Sequence, residues 1–436
     1  MKIALLYPEV YDMARFSQER KEFPPFGVLY LAAVVEDAGH QVEIRRVAPG
    51  HTTLNLTGFD AVGFSLASSA TYGLMLQARR ESLIDSGALV MVGGVHANFY
   101  PAESLRDFAA DVVADGESED IILELLEHAS DRDFTGVAGV LFERDGRTMR
   151  NPSRPLIRDI DTLPLPARHL LPREDIVLPD RLAGTDTRMA HVMFSRGCPF
   201  PCSFCAVGQR RMQYRGGTSA RTELTHLIDA YGIEGFAIVD DNFIVNKSKV
   251  TDICKHISDL NLRWSALSRV DTVDQALLET MAASGCIEVK YGVESGSERL
   301  LKAMRKNTTR AKIRATIRMT ARAGIQPKAF IIHGFPGENT ETTRETISLL
   351  RELRPMLGRV SLFRFVPLPG TEVYNNALLH RIHGTHQQPG WDGDWTKFHI
   401  HHNERHWWGD ADDWAETERS YAELRAFIED EWGPQG

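Results

Sequence analysis

The sequence predicts an α/β protein: an N-terminal doubly wound parallel sheet, then a partial (βα)6 barrel, then a short α-rich tail. Three observations predict this. Apolar runs alternate with helical patterns over residues 1–136, as strands buried on both faces of a parallel sheet require. A second alternating series begins at His191 and supplies six further strand patterns. Residues 379–436 break the alternation, holding six of the seven tryptophans and seven of the sixteen histidines. The organisation reads as 1–136 for a first domain, 137–186 for a hairpin and linker, 187–373 for the barrel, and 374–436 for a substrate-side extension.

KIALLY (Lys2 to Tyr7) is a buried strand. Pro24 to Gly39 is a helix: proline tolerates the first turn, whose N–H groups have no partner, and glycine ends the last. QVEIRRV and DAVGFSLA are the next strands, with a helix from about Thr71 to Asp85 after the second. ALVMVGG is the most apolar run and takes a central place in the sheet. DVVADG and a helix from Glu117 to His128 complete the domain. RDGR and several prolines between Val137 and Arg173 give a hairpin and an extended linker.

The barrel strands are HVMFS, GFAIVD, LRWSALS, IEVKYGV, KAFIIHG and VSLFRFV. Helices at Ala220 to Tyr231, Lys247 to Leu260, Gln275 to Ser284, Arg310 to Gly324 and Glu341 to Met356 make right-handed crossovers between them. A terminal helix runs from about Asp412 to Glu431.

Composition excludes several classes. Hydrophobic residues are 43% and charged residues 25% of 436, as in an ordinary globular protein. No apolar stretch is long enough for a transmembrane helix, and MKIALLYPEV lacks the parts of a secretory signal, so a cytoplasmic location is expected. The net charge of −9 and the absence of a basic block argue against nucleic acid; neither nucleic acid nor membrane is expected as a partner.

Three of the five cysteines fall in SRGCPFPCSFCAVG, spaced Cys198-x3-Cys202-x2-Cys205. Thiolates this close wrap one metal centre, and sulfur suits zinc or iron–sulfur clusters. Most four-iron clusters take four cysteines. Three leave one iron open to a small molecule, and an open position marks a reactive centre rather than a structural one. The loop follows the first strand of a βα series, where such folds place active sites. A structural zinc with a fourth ligand elsewhere is the competing reading. Cys254 and Cys286 lie in core patterns.

This motif, with Phe204 before the last cysteine, resembles that of the radical S-adenosylmethionine (SAM) superfamily, and the resemblance extends over Thr187 to Val373. It implies a 4Fe–4S cluster held by Cys198, Cys202 and Cys205. SAM would chelate the open iron, and its cleavage would give a 5′-deoxyadenosyl radical that abstracts a substrate hydrogen. It also implies SAM contacts at the strand ends. Asp240 or Asp241 in VDDNF would meet the amino group. Arg269 in LSRVD would pair with the carboxylate, as its planar fork suits. Glu294 and Ser295 in YGVESGS would take ribose hydroxyls, and Gly334 and Phe335 in HGFPGE, with Gly337, would border adenine. Taken singly, Asp240 can be a helix cap, Arg269 a surface ion pair and Gly334 a turn residue.

The first domain resembles the cobalamin-binding domain that precedes the barrel in a large radical SAM subfamily, through PPFGVLYLAAVVEDAGH, DAVGFSLASSATY and VMVGGVHANFYPAESL. Ligands of open parallel sheets bind beyond the carboxyl ends of the strands. Ser65, Ser68, Ser69 and Thr71 follow one strand; Gly93, Gly94 and His96 follow the next. The aspartate-x-histidine-x-x-glycine signature of histidine-ligated cobalamin is absent. Cobalamin bound without a histidine ligand and an empty scaffold domain both stay open.

In the tail, aromatics interleave with acids in GWDGDWTKFHIHHNERHWWGDADDW. Rings and carboxylates together fit a polyamine or aminosugar, while an amphipathic helix capping the barrel explains the same residues without a ligand. His399, His401, His402 and His406 are the residue type to ligate a metal, but their spacing matches no metal pattern, and solvated or hydrogen-bonding histidines are the competing reading. Tyr214, Glu338, Asp392 and His402 are the catalytic candidates. The expected function is a radical SAM enzyme of small-molecule biosynthesis, methylating an unactivated carbon with cobalamin. The alternatives are cobalamin-independent dehydration of a vicinal diol on an aminosugar and a radical rearrangement or cyclisation. An electron donor such as flavodoxin or ferredoxin is implied, with a reductase where a diol is dehydrated. A non-catalytic zinc- or cobalamin-binding regulator is the reading from another class, and the ordered strand-end motifs argue against it.

Overall fold

A computed structural model describes residues 1–9, 24–182, 185–207, 210–375, 394–399, 405–409 and 411–434. The chain divides into two compact units: Met1–Ile176 with Asp394–His399, and Val177–Gly393 with Ile400–Gly436.

The first unit is built on a seven-stranded sheet of β1 (Lys2–Pro8), β2 (Gln41–Val47), β3 (Ala61–Ser65), β4 (Leu89–Gly93), β5 (Val112–Ala114), β6 (Val140–Arg144) and β7 (Arg147–Arg150). Their order is β2-β1-β3-β4-β5-β6-β7. The first five pair in parallel, and the predicted hairpin adds β6 and β7 antiparallel. The order reverses between β1 and β3, which is where a sheet of this kind opens a ligand crevice. β4 is central, as expected, with Leu89 to Val92 buried. The helices are α1 (Phe26–Asp37), α2 (Tyr72–Glu81), α3 (Val95–Phe99), α4 (Pro101–Asp107) and α5 (Glu119–Glu127). Val62, Phe64, Val90, Val92 and Val113 pack with Tyr72, Met75, Leu105 and Phe108 into one core. Burial of each large side chain contributes about 1.5–3 kcal/mol.

Two sequence expectations need correction. The helix after β3 opens with a 3-10 turn at Ser69–Thr71 and stops at Glu81, not Asp85. Leu83–Ile84 turns extended because it pairs with Asn55–Leu56, so tertiary backbone pairing outweighs local helix preference. The stretch expected as linker also ends in a strand, β8 (Val177–Leu182), whose proline and charges hide it. Such residues are tolerated on an edge strand, and β8 is one.

The second unit lays its strands in chain order: β8, β9 (Thr185–Val192), β10 (Gly235–Ile238), β11 (Arg263–Arg269), β12 (Cys286–Glu294), β13 (Gln326–His333) and β14 (Arg359–Arg364). β8 is antiparallel, and β9 to β14 are the six parallel strands of the partial barrel. Its helices are α6 (Gly217–Tyr231), α7 (Lys247–Ile257), α8 (Gln275–Ala283), α9 (Glu298–Ala303), α10 (Arg310–Arg322), α11 (Thr340–Leu353) and α12 (Trp414–Trp432). Side chains of Asn246, Asp274, Thr309 and Asn339 cap α7, α8, α10 and α11 by accepting from backbone N–H groups that the first turn leaves unpaired. Cys254 and Cys286 are buried, as the sequence suggests. Among the described residues no helix is long and apolar enough to cross a membrane.

Candidate active site

The cysteine loop leaves the C-terminal end of β9. Ser195–Arg196 pairs antiparallel with Gln213–Tyr214, so a two-residue ribbon ties its two ends together. Gly197 has φ +86°, and a Cβ there would lie 2.5 Å from the Arg211 carbonyl oxygen, which is why glycine precedes the first cysteine. The Arg210 N–H donates to the Cys198 carbonyl at 2.9 Å, and the Ser203 N–H to that of Met304 at 3.1 Å. Cys198, Cys202 and Cys205 are free and partly exposed. Burial raises the thiol pKa of Cys202, with the charges of Lys306 and Arg269 opposing; burial also raises that of Cys205. Among the described residues no group of three His, Cys, Asp or Glu side chains is arranged to hold a metal ion. Three free thiols on a braced, accessible loop have the donor chemistry for an iron–sulfur cluster.

The ends of β10 to β13 surround this loop. Asp240 is buried and accepts from the Phe194 N–H at 3.0 Å and the Ser195 hydroxyl at 2.5 Å, so it braces the loop. Burial pushes its carboxyl up to about 8. Asp241 is exposed and is the member of the pair open to a ligand. Arg269 forks onto Asp271 with two bonds of 2.8 Å and donates to the Cys202 sulfur at 3.1 Å. Glu294 stands in the left-handed region at φ +65° and meets Lys306 at 2.5 Å. Gly292 makes room: a Cβ there would collide with the Glu294 carboxylate and lie 2.7 Å from the Lys306 ammonium. Ser295 bonds to Thr346 and to the Ser297 N–H. Gly334 has φ +92°, and Phe335 is buried edge-on against Phe365.

Of the catalytic candidates, Tyr214 donates to the Phe243 carbonyl at 2.9 Å and accepts from the Asn246 N–H at 3.1 Å, a bracing role. Glu338 lies beside the Gly334 loop and accepts from the Thr342 hydroxyl at 2.6 Å; burial pushes its carboxyl up to about 7. Asp392 and His402, with His401, lie outside the described residues. The sequence reading missed Asn242, Asp271 and Lys306. Asn242 adjoins the aspartate pair and could have been found there; Lys306 has no local signal.

In the first unit, Gly94 has φ +105°, and a Cβ there would lie 2.7 Å from the Leu66 carbonyl oxygen. That close approach draws the ends of β3 and β4 together. His96 is fully buried; its Nδ1 lies 2.9 Å from the Ser69 hydroxyl, and its Nε2 has no hydrogen-bond partner among the described residues. Tyr72, Tyr100 and Trp395 surround the ring at centroid distances of 4.4, 5.1 and 4.9 Å. Burial lowers its pKa to about 4, so it is neutral near pH 7. Thr71 donates to the Ser68 carbonyl at 3.1 Å, Ser65 and Ser68 are half-buried, and Gly93 pairs with Ser65. An orphaned buried nitrogen among hydroxyls at the crevice end of the sheet fits a site whose ligand supplies the missing partner.

The tail's tryptophans hold the fold. The indole N–H of Trp408 donates to the Phe365 carbonyl, that of Trp414 to Trp408, and that of Trp432 to Leu357. Arg364 grips Glu418 of α12 with bonds of 2.6 and 2.9 Å. For these three rings this is the capping arrangement.

Comparison with known proteins places these features. The radical SAM superfamily model matches residues 192–350, and the B12 binding domain model matches residues 20–126. An uncharacterized methyltransferase of Pyrococcus horikoshii is 30% identical, over 82% of this chain and 79% of its own. The cytidylyl-2-hydroxyethylphosphonate methyltransferase of Streptomyces wedmorensis is 26% identical, over 90% and 87%. An anaerobic magnesium-protoporphyrin IX monomethyl ester cyclase of Rubrivivax gelatinosus is 24% identical, over 86% and 69%. Among solved structures, the methyltransferase TsrM of Kitasatospora setae with cobalamin and a 4Fe–4S cluster aligns with a TM-score of 0.69, 17% identity and coverage of 98% and 88%. The cobalamin-dependent SAM radical enzyme OxsB aligns at 0.73, 16% identity, and 97% and 66%.

Fold and sequence therefore define a radical SAM enzyme. The chain belongs to the radical SAM superfamily, among the members that carry a B12-binding domain ahead of the radical SAM domain. Membership brings a 4Fe–4S cluster and SAM as cofactors.

Proposed function

We propose that this enzyme methylates a carbon of a small molecule, using SAM as the radical source and cobalamin as the methyl carrier. One observation carries the reading: a single chain joins a braced three-thiol loop at the end of β9 to a sheet crevice where His96 keeps a buried nitrogen without a partner among the described residues. Cys198, Cys202 and Cys205 hold the cluster. Bound, the cluster and SAM supply the 5′-deoxyadenosyl radical, and cobalamin supplies the methyl group. Asp241 offers an exposed carboxylate to the SAM amino group, Glu294 and Ser295 meet its ribose, and Gly334 and Phe335 border its adenine. Asp240 keeps the loop in place. Ser65, Ser68, Ser69, Thr71, Gly93, Gly94 and His96 line the cobalamin crevice. His96, neutral, fully buried and held by Ser69, backs the crevice. Relatives named methyltransferases support methyl transfer. Relatives named cyclases favour radical ring closure as a second reading.

Anaerobic reconstitution tests the proposal. The protein should turn brown with four irons per chain, and Cys202→Ala should lose most of that iron. Hydroxocobalamin should remain after desalting. With a reductant and SAM, 5′-deoxyadenosine should appear. Iron and deoxyadenosine without retained cobalamin would remove methyl transfer and leave cobalamin-independent radical chemistry; colourless, zinc-loaded protein would end the radical account.

A further inference from the structure

Arg269 was expected to receive the carboxylate of SAM. Its surroundings assign it elsewhere. Arg269 is buried, 4% exposed. Nε and Nη2 each donate to an Asp271 oxygen at 2.8 Å, Nη2 also donates to the Lys306 carbonyl, and Nη1 donates to the Cys202 sulfur at 3.1 Å. Its carbon centre stands 4.0 Å over the Phe200 ring, inside the cysteine motif. A planar fork presents five N–H groups. Four are committed to this chain and one face is stacked, which leaves little for an external carboxylate. A second donor points the same way: the buried Asn242 amide nitrogen lies 3.9 Å from the Cys198 sulfur.

The geometry points to Arg269 as a positioning residue for the cluster, with Asn242 as its weaker companion: each donates an N–H to a ligand sulfur and raises the reduction potential. This rests on the proposed role of the three cysteines as cluster ligands. The physical reason is direct. One-electron reduction adds negative charge to the cluster and its thiolates. A donor aimed at sulfur stabilises that charge, as hydrogen bonds and fixed charge around ligand sulfurs do. Arg269, ion-paired with Asp271, turns the positive end of that pair toward the Cys202 sulfur from a buried position, where an electrostatic interaction is stronger than in solvent. Asp271 holds the fork flat, and the Lys306 carbonyl and Phe200 ring fix its direction. The residue thus acts before SAM binds.

The experiment compares wild type, Arg269→Lys and Arg269→Met after anaerobic reconstitution, all without SAM. Iron and sulfide are counted first, and the midpoint potential is then read by titration with dithionite and mediators, followed by electron paramagnetic resonance. The expected result is undiminished iron, a lower potential in Arg269→Met, and a smaller shift in Arg269→Lys, which keeps charge but not the fork. Asn242→Ala should shift in the same direction by less. An unchanged potential in iron-loaded Arg269→Met overturns the inference while leaving the cluster assignment standing; a guanidinium that served only SAM would behave that way. If Arg269→Met does not hold iron, wild-type protein grown on ¹⁵N-arginine decides. The reduced cluster should show a weak ¹⁵N hyperfine coupling, and its absence overturns the inference. Wild-type protein that assembles no four-iron cluster overturns both.

Discussion

Burial pushes the Asp240 carboxyl up to about 8, while the Phe194 N–H and the Ser195 hydroxyl donate to it and fix it between two strand ends. The side chain is thus a brace, and we expect Asp240→Ala to loosen the cysteine loop. Reconstituted Asp240→Ala should hold several-fold less iron than wild type. Asp240→Asn, which keeps one acceptor, should fall between; equal iron in all three would remove the bracing role. At this scale the sequence shows the ligands but not their partners. Cys198, Cys202 and Cys205 are legible because eight consecutive residues contain them. Arg269 is 67 positions from Cys202 and 37 from Lys306, and only folding brings them together. Hence the sequence shows a strand-end arginine but not the Asp271, Lys306 and Cys202 contacts of its fork.

The strands and helices show the same division between local and distant causes. Trp264 of β11 is 1% exposed, lies nearly parallel to Phe236 of β10 at 5.9 Å, and donates to the Ser284 carbonyl at 2.9 Å. Trp264→Ala should cost about 3–5 kcal/mol of stability, read as a fall in denaturation midpoint, and Trp264→Phe distinctly less. His333 ends β13 and ties it to α11 and α12 through Thr343 and Ser420. Burial lowers its pKa to about 3, so the unfolded chain binds a proton below about 6.5 that the native state refuses. Its contribution is full above that pH and is lost as pH falls towards 3. Denaturation midpoints between pH 7.5 and 5 should therefore drop, and His333→Gln should flatten the drop. An unaltered acid slope would show that His333 does not titrate on unfolding. Strand and helix order was readable because periodicity is local. The end of α2 at Glu81 and the edge strand β8 were not, because each depends on a partner strand.

For the whole molecule, the two-part α/β architecture was legible from alternating apolar runs, whereas the make-up of the first unit was not. Cobalamin binding should raise the stability of that unit by linkage, by about 2.7 kcal/mol at a hundredfold excess over Kd. Its unfolding followed with and without hydroxocobalamin should show this, and an unmoved transition would indicate an empty crevice. Gly94→Ala should weaken both stability and retention of the cofactor, since a Cβ would press on Leu66. Residues 394–399 carry a further consequence. Trp395 and Phe398 belong with Tyr72, His96 and Tyr100, although more than two hundred intervening residues fold elsewhere. On the ribosome, the sheet that is made first must wait for a tryptophan made almost last. Its crevice stays open throughout synthesis of the barrel, and a nascent chain halted at Val373 would hold the aromatic rings around His96 without their lid.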